Sequence, residues 1–475
     1  MKPHMQTRSP NVLLITADQL RYDCVGFSGR YPVQTPHLDR LAAQSTVFHQ
    51  AYSHVPLCCP ARQSLLHGRR PETFGALWNY NAFLPVGSLQ PEQFTWSKLL
   101  ADHGYQTAYI GKWGVNPDYD ATAFGYDSYI SEADYRAFQK ERYPDIQYTN
   151  GYFGETDPVP LEDSQTHWMA RQAIGTLKKL DAGGKPWHMA VHFPEPHLPC
   201  RPSGRFAGLY DPEDIPEWEG FRDKFQGKPY IQQQQLLNWG VEHYTWADWA
   251  PIVARYYGII SQLDEAVGQI LNALDTMDTN TIVIFTADHG DMCGSHGMMD
   301  KHYILYDDVI RVPLAIRLPG RNQTGRSENR FVYNLLDMAP TLIDLTGLNT
   351  DESDRLQGRS LAPLLRGEQE PEHWRNSIVA TYNGQQFGLY TQRMIRTENW
   401  KYIWNLTDVD ELYDLSSDPG ELVNQIGNPA SAPLIKEMRN ALYHQLKLDG
   451  DPVINNEWMF HQLLDGAKLA ARSGG

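Results

Sequence analysis

Four short apolar runs set the frame of this chain: Asn11–Thr16, Thr107–Ile110, His188–Phe193 and Thr281–Thr286. Their length and β-branched content are those of strands buried on both faces of a parallel sheet. Between them the spacing turns helical. The clearest case is RYYGIISQLDEAVGQILNALD, where Leu263, Val267, Ile270, Leu271 and Leu274 recur on one helix face. Strands alternating with helices predict an α/β fold with a large, mostly parallel central sheet flanked by helices.

Near residue 368 the texture changes. The stretch NSIVATYNGQQFGLYTQRMIRTENWKYIWNLTDVDELYDLSSDPGE breaks into short strand-like pieces at Asn, Gly and Asp. Hairpins of an antiparallel sheet are expected there. The chain thus divides into a catalytic α/β unit over 1–368 and a smaller C-terminal subdomain with its tail over 369–475. The boundary is soft, anywhere from Asp351 to Asn376.

Each apolar run gives way to polar residues with metal-binding or acid–base chemistry. Asn11–Thr16 leads to Asp18 and Gln19, Thr107–Ile110 to Lys112, His188–Phe193 to His197, and Thr281–Thr286 to Asp288 and His289. Open α/β sheets bind ligands beyond the carboxyl ends of their strands. Four strands thus deliver carboxylates, imidazoles, an amide and an ammonium to one edge, a set suited to a metal and an anion. The plainer alternative for Asp18 and Asp288 is helix capping after a strand.

Composition narrows the classes. The formal charge of −16 gives no basic face for nucleic acid. It leaves an anionic small substrate open, because a diffuse surface charge is screened beyond about 8 Å. No run approaches the roughly 20 apolar residues of a membrane span. The apolar run Val12–Ile15 near the start is too short for a signal-peptide core, and five irregularly spaced cysteines form no disulfide framework. A cytoplasmic setting is expected, and a chain trimmed of its leader would read the same.

One segment is far more specific than these patterns: Cys58-Cys59-Pro60-Ala61-Arg62-Gln63-Ser64-Leu65-Leu66-His67-Gly68-Arg69. It resembles the signature of the formylglycine-dependent sulfatases, Cys-x-Pro-x-Arg running to Gly-Arg, within the alkaline phosphatase superfamily. Pro60 and Arg62 fall at the expected offsets only if Cys58 is the residue oxidised to formylglycine. Pro60 also suits the first turn of a helix, which puts Cys58 at a helix N-terminus, where amides and dipole favour an anion. A hydrated aldehyde there offers two geminal hydroxyls, one to attack sulfur and one to expel the sulfate. The alternative is a pair of structural cysteines beside a helix start.

The resemblance extends to other residues. Asp18, Gln19, Asp288 and His289 match the family's metal ligands beside residue 58, in the Asp-Gln form of bacterial sulfatases, choline sulfatases and phosphonate monoester hydrolases. Oxygen donors favour calcium, and magnesium or manganese is also admitted. Gly111-Lys112-Trp113 and Pro196-His197-Leu198-Pro199 are similar to family stretches, which implies that Lys112 and Lys301 hold sulfate oxygens, Arg62 supports the formylglycine, and His197 protonates the leaving alcohol. Lys301 and His302 can exchange places in this alignment, and His302 is kept as a substrate contact with Asn79. The family's His after Gly-Lys-Trp is Gly114 here. The stretch Glu411–Leu415 with Asp418-Pro419-Gly420-Glu421 and Asn424 is similar to the family's C-terminal subdomain.

The function implied is hydrolysis of an organic sulfate ester. The tryptophans 218, 239, 246 and 249 and the bacterial-type Asp-Gln site favour a sulfated carbohydrate, such as a glycosaminoglycan-derived saccharide, although packing is the better explanation of the tryptophans themselves. Alternatives are a phosphonate monoester or phosphodiester hydrolase of the same superfamily, a choline-type small-molecule sulfatase, and a silent binding protein of the same fold. A formylglycine-generating maturation enzyme is the implied protein partner. The apolar Trp458-Met459-Phe460 in the tail suggests a homo-oligomer contact.

Overall fold

The structure is a computed structural model that describes residues 9–466, apart from 83, 278–279, 321–324, 369–372 and 386. Among the described residues the strands are β1 (Asn11–Asp18), β2 (Thr46–Phe48), β3 (Ala51–Tyr52), β4 (Gln106–Gly111), β5 (Ser128–Ser131), β6 (Trp187–Pro196), β7 (Thr281–Ala287), β8 (Leu314–Arg317), β9 (Arg326–Glu328), β10 (Val332–Tyr333), β11 (Ile378–Gln385), β12 (Gly388–Arg396), β13 (Trp400–Asn405) and β14 (Glu411–Asp414).

The large sheet has the order β5-β4-β6-β1-β7-β8-β2-β9. The four apolar runs of the sequence are the contiguous centre of this sheet, β4-β6-β1-β7, and all three of their pairings are parallel. The short strand β8 runs antiparallel to β7 and to β2, so the sheet is mostly parallel. Side chains alternate strictly between two cores. Val12, Leu14, Tyr109, Ala190, Ile282 and Ile284 enter one. Leu13, Ile15, Ile110, Met189, Val191, Val283 and Phe285 enter the other. Helices cover both faces, which is why these strands read as continuous apolar runs and not as alternating ones.

The long helix spans Trp246–Asp275, starting earlier than its periodicity suggests. Thr245 and Asp248 form a reciprocal capping box ahead of Pro251. Pro251 therefore falls near the start of the helix, where it costs one backbone hydrogen bond.

The C-terminal strands form an antiparallel four-stranded meander, β11-β12-β13-β14. One face (Ile378, Ala380, Tyr382, Met394, Ile403, Tyr413) packs into the core of the large sheet. The other face (Val379, Ile395, Tyr402, Trp404, Leu412) takes Met438 and Leu442 of the Ala432–Asp449 helix and Leu463 of the Glu457–Asp465 helix. The expected junction at 368/369 borders residues 369–372, which lie outside the described residues, as does the tail from 467. Within the described part of the tail, Met459 and Leu463 pack on this chain and Trp458 is exposed. No helix among the described residues is long and apolar enough to cross a membrane.

A buried ion cluster ties the two sheets together. Lys401 on β13 lies 2.7 Å from Asp307 Oδ1 and 2.7 Å from Glu421 Oε1, and donates to Leu305 O at 3.2 Å. Removing the ammonium leaves two enclosed carboxylates facing each other. Lys401→Met is expected to lower unfolding free energy by about 3 kcal/mol, read by urea denaturation; a loss below about 0.5 kcal/mol, the scale of an exposed pair, would show that Arg396 alone neutralises the site.

Candidate active site

The carboxyl ends of β1, β4, β6 and β7 converge on one buried cluster. β1 ends in Asp18, which is 0% exposed, and a bulge opposite Pro196 of β6 turns the chain into Gln19 at a left-handed φ of 67°. β7 delivers Asp288 and His289, both buried, and the Asp288 amide donates to Ala17 O. Cys58 is the first residue of the Cys58–His67 helix, a helix buried throughout.

Cys58 Sγ lies 3.3 Å from His289 Nε2 and 3.6 Å from Asp18 Oδ1. Ligand atoms of Asp18, Cys58, Asp288 and His289 all fall within 4.8 Å of one another. Asp288 Oδ1 accepts from the amides of Gln19 and His289, while its enclosed Oδ2 has no hydrogen bond among the described residues. His289 Nδ1 sits 2.9 Å from Gly290 O, which assigns the proton there and leaves Nε2 to face the cluster. Two carboxylates and an imidazole lone pair gathered beside Cys58 fit a divalent cation.

Cations surround the carboxylates. Arg62 Nη2 stands 2.7 Å from Asp18 Oδ2 and 3.1 Å from Asp288 Oδ2. Its Nη1 reaches Lys112 O at 2.9 Å and His192 Nδ1 at 3.0 Å. Lys112 Nζ lies 2.7 Å from the same Asp18 oxygen. Burial opposes ionisation of Asp18, but Lys112 and Arg62 outweigh it and hold the carboxyl well below its usual range. Asp288 moves the other way, pushed up by burial and by the Asp18 charge.

The two adjacent cysteines differ sharply. Burial and Asp18 push the Cys58 thiol up, yet Lys112, Lys301 and His289 prevail and leave it well below the usual thiol range. Burial, with the Cys58 charge, drives Cys59 up to about 12. Position 58 is therefore built to hold an anion, whereas Cys59 is an inert packing residue.

Lys301 Nζ donates to Gln19 Oε1 at 2.7 Å and lies 2.9 Å from His197 Nε2. Of the two adjacent residues, Lys301 reaches the cluster. His302 is 1% exposed and sits 2.9 Å from Asp300 Oδ2 instead. Both ends of the Gln19 amide have partners, Nε2 donating to Asp291 and Asp300 and Oε1 accepting from Lys301, which leaves one Oε1 lone pair for a cation. It links the cluster to the Lys301 loop. Asn79 Oδ1 accepts from the Cys59 amide at 2.9 Å, so it caps the helix that carries Cys58.

His192, Asp291 and Asp300 belong to the site without a motif to mark them. His192 is hidden inside an apolar strand, although its alternation with His188 along β6 marks both as the imidazoles of one face. Of the four tryptophans, Trp218 and Trp249 are core residues and Trp239 and Trp246 pack against the same core, Trp239 also contacting Tyr152 and Phe387.

The family described as Sulfatase matches residues 10–348. The chain belongs to the sulfatase family. This sulfatase also matches the family described as N-sulphoglucosamine sulphohydrolase, C-terminal, over residues 294–447. It is 29% identical to an arylsulfatase of Clostridium perfringens, over 92% of this chain and 94% of the relative. It is 26% identical to an N-acetylglucosamine-6-O-sulfatase of Bacteroides thetaiotaomicron, over 94% and 88%. Among solved structures, the phosphonate monoester hydrolase of Agrobacterium radiobacter superimposes with a TM-score of 0.78 at 26% identity, covering 92% of this chain and 96% of that one. The enzyme is a sulfuric ester hydrolase, and its family implies a divalent metal and formylglycine.

Gly114 has a physical reason in this site. Its φ is +66°, and a Cβ there would stand 2.9 Å from Arg62 Cδ. The Arg62 side chain occupies the space a larger residue would need. Gly114→Ala is expected to cost about 1–3 kcal/mol in strain and to lower aryl sulfate turnover by moving Arg62 off its carboxylates. Thermal unfolding and steady-state kinetics check this; wild-type values for both would show that Arg62 yields freely.

Proposed function

We propose that this sulfatase hydrolyses a sulfated saccharide through residue 58 as formylglycine, with Asp18, Gln19, Asp288 and His289 as ligands of a calcium ion. The observation that carries the reading is the position of Cys58 Sγ, 3.3 Å from His289 Nε2 and 3.6 Å from Asp18 Oδ1, at a helix N-terminus. When present, the hydrated aldehyde and the cation supply an acidified hydroxyl nucleophile and a Lewis acid for the sulfate oxygens.

The chain's own residues do the rest. Lys112 and Lys301, both close enough to favour an anion at position 58, hold the sulfate oxygens as charge builds on them. Arg62 keeps both carboxylates oriented. His197 Nδ1 lies 2.6 Å from Leu198 O, so Nδ1–H donates there and Nε2 is the atom that exchanges a proton with the leaving oxygen. Lys301, 2.9 Å from that nitrogen, holds the imidazole in place, and the Asp300, Cys58 and Asp18 charges outweigh its burial and keep it an ammonium for the sulfate contact. Asn79 bears on the site by holding the helix start. The saccharide assignment rests on the relative named for N-acetylglucosamine 6-O-sulfate. The likeness to a phosphonate monoester hydrolase favours that activity as a second reading, and the ratio of kcat/KM on aryl sulfate to that on aryl phosphonate decides between them.

Three outcomes are expected of the matured enzyme. Cys58→Ala loses turnover by several orders of magnitude while keeping its fold by circular dichroism, and Cys59→Ala stays within a few-fold of wild type; equal losses in both would reject Cys58 as the reacting residue. The Cys58 peptide from a maturation-competent host is about 18 Da lighter than its sequence mass, by oxidation of the thiol. Chelation abolishes turnover and calcium restores it; recovery with magnesium or manganese alone would reject calcium.

A further inference from the structure

A second cavity adjoins the reaction centre. It has a volume of about 330 Å³ and opens between the β6 end and the 132–165 segment, at the small end of the roughly 300–1,000 Å³ usual for small-molecule sites. Lys112 and His197 line it, so it adjoins the place where the sulfate ester reading puts the leaving oxygen. Beyond them stand Glu195, Arg201, Tyr148 and Glu132.

Two wall side chains each keep one enclosed polar atom without a hydrogen bond among the described residues. Glu195 Oε2 is enclosed and makes no hydrogen bond there. Arg201 Nε is likewise enclosed without an acceptor, while its guanidinium lies 3.8 Å above the Tyr148 ring. An enclosed polar group left unmatched costs about 1–3 kcal/mol, and native interiors rarely tolerate one without a ligand or water to satisfy it. Both side chains line the one cavity beside the leaving group, so its wall carries an acceptor and a donor whose hydrogen-bonding capacity the protein leaves unfilled.

We infer, resting on the sulfate ester reading above, that this cavity binds the alcohol half of the substrate, with Glu195 taking a hydrogen bond from a hydroxyl or ammonium group neighbouring the sulfated position. Arg201 takes the complementary oxygen. A donor and an acceptor on adjacent atoms are what a hexose or hexosamine ring presents, whereas the sulfate ester of a quaternary ammonium alcohol carries no donor at all. Burial, reinforced by the Glu132, Asp157 and Asp18 charges, also pushes the Glu195 carboxyl up to about 8, and in either protonation state it keeps an oxygen that accepts from a ring hydroxyl.

Binding to Cys58→Ala protein, followed by calorimetry, tests this without requiring turnover. The ligands are glucose 6-sulfate, glucosamine 6-sulfate and 4-nitrophenyl sulfate. Adding Glu195→Leu is expected to weaken both sugar sulfates about tenfold or more relative to the aryl sulfate. Glu195→Gln, which keeps an acceptor but no charge, restores glucose 6-sulfate if a hydroxyl is read, and leaves glucosamine 6-sulfate weak if the ammonium is read. Equal weakening of all three ligands by Glu195→Leu, or no measurable sugar binding to the protein that retains Glu195, overturns the inference. Aryl sulfate turnover by the matured wild type reports separately on the sulfate ester reading.

Discussion

Everything at the reaction centre depends on keeping Asp18 and Asp288 enclosed side by side. Two carboxylates in a low-dielectric pocket repel strongly and each loses its hydration. Arg62 resolves the conflict by spanning them with a single nitrogen, 2.7 Å from one and 3.1 Å from the other. Its second nitrogen binds the Lys112 carbonyl and His192 on the neighbouring strands. The guanidinium is planar and permanently charged, so it fixes orientation as well as charge. The two aspartates shift in opposite directions because burial raises both, Lys112 and Arg62 outweigh it at Asp18, and the Asp18 charge adds to it at Asp288.

The C-terminal sheet extends this logic away from the centre. Lys401 compensates Asp307 and Glu421 just beyond the loop that carries Lys301. Tyr303, from the same loop, donates to Gln385 O and Gly388 O at the β11–β12 turn. The loop is thus held from both sides, by Gln19 within the large sheet and by the meander outside it. A side chain as flexible as lysine reaches His197 and Gln19 together because its backbone has little freedom left.

The pattern of this chain made the centre of the sheet legible. Four apolar runs could be read as parallel strands because burial on both faces removes polar alternation, and the charged residues after each run could be read as one edge. Cys58 stood out because Pro60 and Arg62 occupy positions with separate physical reasons, a helix first turn and a counter-charge. His192 stayed unread because an imidazole inside an apolar run looks like packing until its Arg62 partner is visible. Asn79 drew attention as a polar residue near the site, but its contact with the Cys59 amide is a matter of three-dimensional position.

The sequence by itself determined the fold class and the inventory of reacting groups, because strand burial, helix periodicity and a dense local motif are short-range facts. The tertiary structure decided how those groups pair: that Lys301 rather than His302 meets His197, that Gly114 makes room for Arg62, and that Glu195 and Arg201 face a shared cavity with enclosed polar atoms unmatched among the described residues. Each of these depends on distances between residues far apart in the chain. Such distances are set by packing two cores against one sheet, and no local pattern encodes them.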